Sequence, residues 1–169
     1  MMRRKAIFSF MALMLAGFML VGCNIGYVYD RYRSVDVKGW NRADTLDFNV
    51  GRLPAGEYDL CVGFRATSDY PYKELGFDVD CTVYTKHKTA AGKDSLSFRE
   101  IHKREKCPVY DDAGRMVGRS GVSCDDFSYR FGRLKVGEND SVVVSVTHGM
   151  NQEVMPGLMQ VGLQLMNRQ

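Results

Sequence analysis

Beyond its leader, this chain of 169 residues has no long stretch that sustains apolar residues at helical spacing. That leaves no helices to cross between the strands of a parallel sheet. Net charge is also scarce. The formal +3 includes Arg3, Arg4 and Lys5 of the leader, so the remainder is close to neutral and nucleic acid is not an expected partner. The only histidines are His87, His102 and His148. They show neither the i, i+4 spacing of a zinc protease nor that of a structural zinc site, so surface or loop positions are expected, with no metal and no cofactor. No internal repeat is visible, and the length after the leader is that of one domain.

What is present begins with the leader. Arg3, Arg4 and Lys5 precede an apolar run from Ala6 to Val21, the order of a signal peptide. The run ends in Leu20-Val21-Gly22-Cys23, a lipobox-type ending in which small residues admit a peptidase and a thiol accepts diacylglycerol. The alternative is a permanent transmembrane helix, but the run is at the short end of the roughly 17 to 25 residues a span requires. We expect residues 1–22 to be removed as a signal peptide. Cys23 then carries diacylglycerol and an N-acyl lipid, because one chain alone gives only marginal membrane binding. Residues 23–39 are expected to be a lipidated tether, and residues 40–169 the folded domain. Asn24-Ile25-Gly26-Tyr27 follows the cysteine where an acidic run would signal surface export. The expected location is therefore the outer membrane, facing the periplasm.

In the mature chain, alternation of period two dominates and predicts strands. Leu46, Phe48 and Val50 alternate with polar neighbours, and Leu53-Pro54-Ala55-Gly56 reads as a turn into Tyr58, Leu60, Val62 and Phe64. These are expected to form a hairpin. Leu75, Phe77, Val79, Cys81 and Val83 alternate with polar residues, as expected of a strand with one dry and one wet face. The pattern recurs at Phe127, Tyr129 and Phe131, at Val142, Val144 and Val146, and at Val161, Leu163 and Leu165. Short strands between glycine-rich turns predict an all-β fold, an antiparallel β-sandwich of jelly-roll type.

Cys61, Cys81, Cys107 and Cys124 form an even set once Cys23 is lipidated. In an oxidising compartment that set predicts disulfides, with three pairings open. We expect Cys107 to bridge Cys124 across a turn-rich loop, with Cys61 paired to Cys81 or left free.

Trp40, Phe48, Tyr58, Arg65 and the run Tyr70-Pro71-Tyr72-Lys73-Glu74-Leu75 resemble the gliding-motility lipoprotein GldH family. His148-Gly149-Met150, Met155-Pro156-Gly157-Leu158 and Gln160-Val161-Gly162-Leu163 are similar to that family's ending, so the likeness spans nearly the whole mature chain. The resemblance implies a lipoprotein associated with the envelope machinery of gliding bacteria, although relatives occur in bacteria that do not glide. It brings no catalytic residues.

Several segments invite a functional reading beside a plainer one. Between Thr85 and Cys107 stand Lys86, His87, Lys88, Lys93, Arg99, His102, Lys103, Arg104 and Lys106, either a patch for anionic lipid headgroups or a solvated hairpin with Leu96 and Phe98 facing inward. The stretch from Arg65 to Leu75 is the best candidate for partner binding, with Arg65, Tyr70 and Tyr72 as its groups. Its alternative is structural: one tyrosine packs on the sandwich and Arg65 satisfies backbone carbonyls. Asp78 with Asp80, Asp111 with Asp112, and Asp125 with Asp126 are paired carboxylates that suit glycoside hydrolysis or calcium. Against that, Asp111-Asp112-Ala113-Gly114 has the composition of a hairpin turn. Cys107 or Cys124 with His148 is a conceivable nucleophile and base, although bridges account better for the cysteines. Met150, Met155, Met159 and Met166 read as gap-filling residues. The expected function is a non-catalytic envelope lipoprotein with protein partners. The alternative is a lipid-anchored module that binds carbohydrate or another small ligand.

Overall fold

The computed structural model describes residues 26–168 except Ala91. The expected signal peptide and Cys23 lie outside the described residues. Eleven strands are formed among those described: β1 (Tyr27–Ser34), β2 (Trp40–Asn41), β3 (Leu46–Arg52), β4 (Gly56–Ala66), β5 (Glu74–Lys88), β6 (Asp94–Pro108), β7 (Arg119–Ser120), β8 (Asp125–Val136), β9 (Asp140–His148), β10 (Val154–Met155) and β11 (Leu158–Asn167). One sheet has the order β1-β11-β4-β8-β7 and a second the order β3-β9-β5-β6, while β2 and β10 form a two-stranded ribbon. The pairings are antiparallel.

The alternating apolar residues explain the sandwich. Tyr58, Leu60, Val62 and Phe64 of β4 and Val161, Leu163 and Leu165 of β11 line the inner face of the first sheet. Phe48, Phe77, Val79, Cys81, Val83, Val142, Val144 and Val146 answer them from the second. Both sets are buried, so each sheet hides one face against the other.

The expected hairpin of β3 and β4 does not form. Phe48 pairs with Val144 in the second sheet, whereas β4 lies in the first between β11 and β8. The Leu53 to Gly56 turn instead carries the chain from one sheet to the other, closed by the Tyr58 hydroxyl donating to the Pro54 carbonyl at 2.7 Å. Alternation shows which face of a strand is dry, and it leaves the partner strand open.

The tether is also shorter than residues 23–39. Tyr27 to Ser34 pairs along β11 from Met166 to Gln160 and forms the edge of the first sheet. Its polar sequence hides this, because an edge strand lying on an already paired sheet buries little. Connections between β3 and β4 and between β8 and β9 lie at the end of the sandwich where β1 begins, here called the Tyr27 end. Trp40 and the β2–β10 ribbon occupy the opposite end.

Three further expectations are corrected. Leu96 and Phe98 are exposed, since the register places them opposite Lys86 and Tyr84 on the outward face. His148 is buried. All four cysteines of the domain are free. Cys107 and Cys81 belong to the core, whereas Cys124 borders a depression on the outer face of the first sheet, and Cys61 points to that outer face from β4. Neither expected bridge is formed. The turn at Asp111 to Gly114 is as expected: Tyr110 bridges Met116, and Asp111 Oδ1 accepts from the amides of Ala113 and Arg115.

Candidate functional site

The outer face of the first sheet carries the most developed arrangement of polar and aromatic groups. It begins with two glycines in apolar strands. Gly63 and Gly162 are register partners, and Tyr32 of β1 is the partner of Gly162 on the other side. The Tyr32 ring lies flat across both. A Cβ at Gly162 would stand 2.7 Å from the ring, and one at Gly63 would run into the phenol oxygen. Glycine within a strand commonly marks such close approach.

Arg65 follows two residues beyond Gly63 on the same face, with Asp126 and Gln160 as register partners on either side. Its Nε donates to Asp126 Oδ1 at 2.7 Å and its Nη1 to Gln160 Oε1 at 2.6 Å. The guanidinium carbon stands 4.2 Å from the centroid of the Tyr32 ring, in the range of a cation–π contact. Gln160 Nε2 donates onward to Ser34 Oγ at 3.3 Å. Beyond the ring, Gln164 Nε2 donates to Asp30 Oδ1 at 3.2 Å, and Ser128 Oγ donates to Gln164 Oε1 at 2.8 Å. Two polar rows thus flank one aromatic ring.

Between them runs an open groove of about 530 Å³ that includes Tyr27, Asp30, Tyr32, Arg65, Asp126 and Gln164 in its lining. Burial pushes the Tyr32 phenol up to about 12, so it remains neutral. Burial also raises the Cys61 thiol. The hydrogen bond to Asp126 raises Arg65, which stays charged. The groove offers neutral donors, a fixed cation, carboxylates and an aromatic surface, a set suited to recognition.

The expected binding trio is therefore divided. Arg65 lies in this groove, and its partners are side chains rather than backbone carbonyls. Tyr70 is buried at the Trp40 end, where its hydroxyl donates to the Glu74 carbonyl at 3.1 Å. Tyr72 is half-buried, with its ring 5.8 Å from that of Tyr70 in an edge-on contact. The Tyr110 hydroxyl donates to the Tyr70 carbonyl at 2.9 Å.

Other residues of the family-like pattern gather here as well. Trp40 pairs with Met155, donates Nε1 to the Asp44 carbonyl at 2.9 Å, and stands edge-on to His148 at 5.5 Å. Gly157 adopts a φ of +77°, and a Cβ there would lie 2.7 Å from Tyr70 Cα. Met150 Sδ accepts from the Gly76 amide at 3.0 Å. These residues knit the loops of the Trp40 end into the core.

The paired carboxylates serve separate structural contacts. Asp78 holds Arg104 and Asp80 holds His102, each at 2.7 Å. Asp126 serves Arg65. Among the described residues, no group of three or more His, Cys, Asp or Glu side chains is placed to hold a metal ion. Sequence reasoning missed Tyr32, Asp30 and Gln164 as members of the groove. The available signal was the pair of glycines in otherwise apolar β4 and β11.

These features define an antiparallel β-sandwich with an open groove of polar and aromatic side chains on one outer face. Residues 27–165 match the family described as GldH lipoprotein, and the chain belongs to that family. No curated protein matches it. Among solved structures, it has a slight likeness to a chain in "The 2.6A structure of Infectious Bursal Virus Derived T=1 Particles". That likeness has 10% identity and a TM-score of 0.13, and it covers 82% of this chain and 37% of the viral chain.

Proposed function

We propose that this GldH-family lipoprotein is a non-catalytic component of a cell-envelope assembly related to the gliding-motility machinery. It is held to the outer membrane, facing the periplasm, by diacylglycerol and an N-acyl lipid on Cys23. The observation that carries this reading is the groove centred on Tyr32 and Arg65, where Arg65, Asp126 and Asp30 are each held by a neighbouring side chain. Arg65 is held by Asp126 and Gln160, and Asp30 by Gln164. Such a surface is ordered before a partner arrives, which lowers the entropic cost of docking.

A second reading, a module for carbohydrate or another small ligand, is favoured by the Tyr27 and Tyr32 rings beside Asp30 and Gln164 in the same groove. Sugars bind to such combinations of aromatic faces and polar groups. Affinity purification of the intact lipoprotein from its own envelope, as wild type and as Arg65→Ala, separates the two. Protein partners lost in the variant support the assembly component. A bound glycan with no protein partner supports the module, and unchanged recovery sinks the groove as the docking surface. Radiolabelled palmitate tests the anchor: Cys23→Ser should take up no label, because serine lacks the nucleophilic thiolate.

A further inference from the structure

The strands of the second sheet do not end together. Pairing of β5 with β9 stops at Thr85 and Asp140, whereas pairing of β5 with β6 continues to Lys88 and Asp94. The hairpin tip therefore projects beyond the sandwich. Its base is fixed: Thr85 Oγ1 donates to Asp140 Oδ1 at 2.6 Å, the Lys86 amide to the Asn139 carbonyl at 3.3 Å, and Arg99 to the Lys135 carbonyl. This tip lies at the Tyr27 end, the same end at which β1 starts.

The tip has an unusual surface. Lys86, Lys88 and Lys93 are exposed and, among the described residues, make no ion pair. Farther along the same hairpin Arg104 is matched by Asp78 and Lys106 by Glu74, while Lys103 makes no ion pair among the described residues. Leu96 is 57% exposed and Phe98 63% exposed, and their register partners Lys86 and Tyr84 share their outward face. A solvated hairpin needs lysines, but it does not need a leucine and a phenylalanine in water. Apolar and aromatic groups bordered by unpaired cations are the composition of a surface that rests in an anionic lipid interface.

We propose that the β5–β6 hairpin tip rests on anionic phospholipid headgroups, with Lys86, Lys88 and Lys93 meeting the phosphates and Leu96 and Phe98 entering the interface. The proposal rests on the reading of Cys23 as the lipid anchor. From Cys23 to Tyr27 the chain reaches at most about 14 Å when fully extended. The Tyr27 end is thereby confined close to the bilayer, and the projecting hairpin is confined with it. The contact orients the sandwich so that the Trp40 end points away from the membrane.

The test uses the full lipidated chain carrying Phe98→Trp in two kinds of vesicle, phosphatidylcholine alone or mixed with phosphatidylglycerol. Each also contains a nitroxide-labelled lipid that quenches tryptophan. Emission from the new tryptophan should shift to the blue and be quenched in the mixed vesicles, whereas wild type, with only the buried Trp40, should show neither change. Each lysine near an anionic surface is worth about fivefold in partitioning. Lys86→Gln, Lys88→Gln and Lys93→Gln together should therefore abolish the quenching. Equal quenching in both vesicles, or none in either, overturns the headgroup contact. Flotation of wild type with phosphatidylcholine vesicles reports the anchor independently: failure to float sinks the Cys23 reading, and flotation without quenching sinks the hairpin proposal alone.

Discussion

The Arg65 guanidinium carbon lies 4.2 Å from the centroid of the Tyr32 ring, and that ring covers the facing glycines of two other strands. The edge strand β1 is thereby pinned to the sheet through side chains as well as through its ladder. Tyr32→Ala should uncover both glycines and cost about 2 kcal/mol, read by denaturant unfolding. Arg65→Ala should cost about 1 kcal/mol or less, because its side chain is over a third exposed and water screens its ion pair. The double variant should reveal a coupling of about 0.5 kcal/mol or more. Strict additivity would show that ring and guanidinium act independently.

Tyr70 and Tyr72 should behave differently. Tyr70 is buried beneath Gly157, so Tyr70→Ala should cost about 3 kcal/mol or more. Tyr70→Phe removes only the hydrogen bond to the Glu74 carbonyl and should cost about 1 kcal/mol. Tyr72→Ala should fall well below Tyr70→Ala, since that ring is only half-buried. Melting temperatures decide the order, and equal shifts for the two alanine variants would refute it.

Gly39 joins the edge region to Trp40 with a φ of +119°, and a Cβ there would meet the Met155 carbonyl. Both strain and collision oppose any side chain, so Gly39→Ala should destabilise the domain by about 2 kcal/mol. Its effect should exceed that of Gly51→Ala. Gly51 also has positive φ, but a Cβ there would meet nothing within 4 Å. Comparable losses at the two positions would mean that backbone strain alone matters.

The buried thiols make stability fall in alkali. Burial pushes Cys81 up to about 11 and Cys107 up to about 12 from an ordinary value of 9.0. A folded-state value raised above the unfolded one favours the neutral thiol, so this contribution is complete below pH 9.0. It is lost as pH rises through about 11 to about 12. Native-state alkylation should mark the half-exposed Cys124 before Cys81 and Cys107. Denatured, unreduced protein taken from the envelope should then yield all four thiols of the domain. Peptide mapping that found Cys107 linked to Cys124 would contradict the arrangement described.

His148 supplies the opposite limb. Burial against Trp40 lowers its pKa from 6.5. Its contribution is therefore present above pH 6.5 and lost as pH falls through the depressed folded value. His148→Phe keeps an aromatic ring beside Trp40 and should flatten the pH dependence of unfolding just below pH 6.5. An unchanged acid profile would assign that limb to carboxylates such as Asp140, which its bonds to Thr85 and Gly137 hold below the usual range.

The sequence by itself determined the dry faces. Period-two alternation marked β3, β4, β5, β8, β9 and β11, and the composition of Asp111 to Gly114 marked its turn. Both signals are local, set by the pleat of one strand or the conformational freedom of a few residues. The family resemblance was also legible, because it resides in the order of residues such as Trp40, Tyr70 and Gly157. Tertiary structure alone decided which strands became partners. It sent β3 and β4 to different sheets, recruited the polar β1 as an edge, and turned Leu96 and Phe98 outward. It also separated Arg65 from Tyr70 and joined it to Tyr32 from a strand 33 positions earlier in the chain. Alternation specifies a face but carries no address for the strand that will cover it, so long-range pairing and the shared burial of two sheets settle the site.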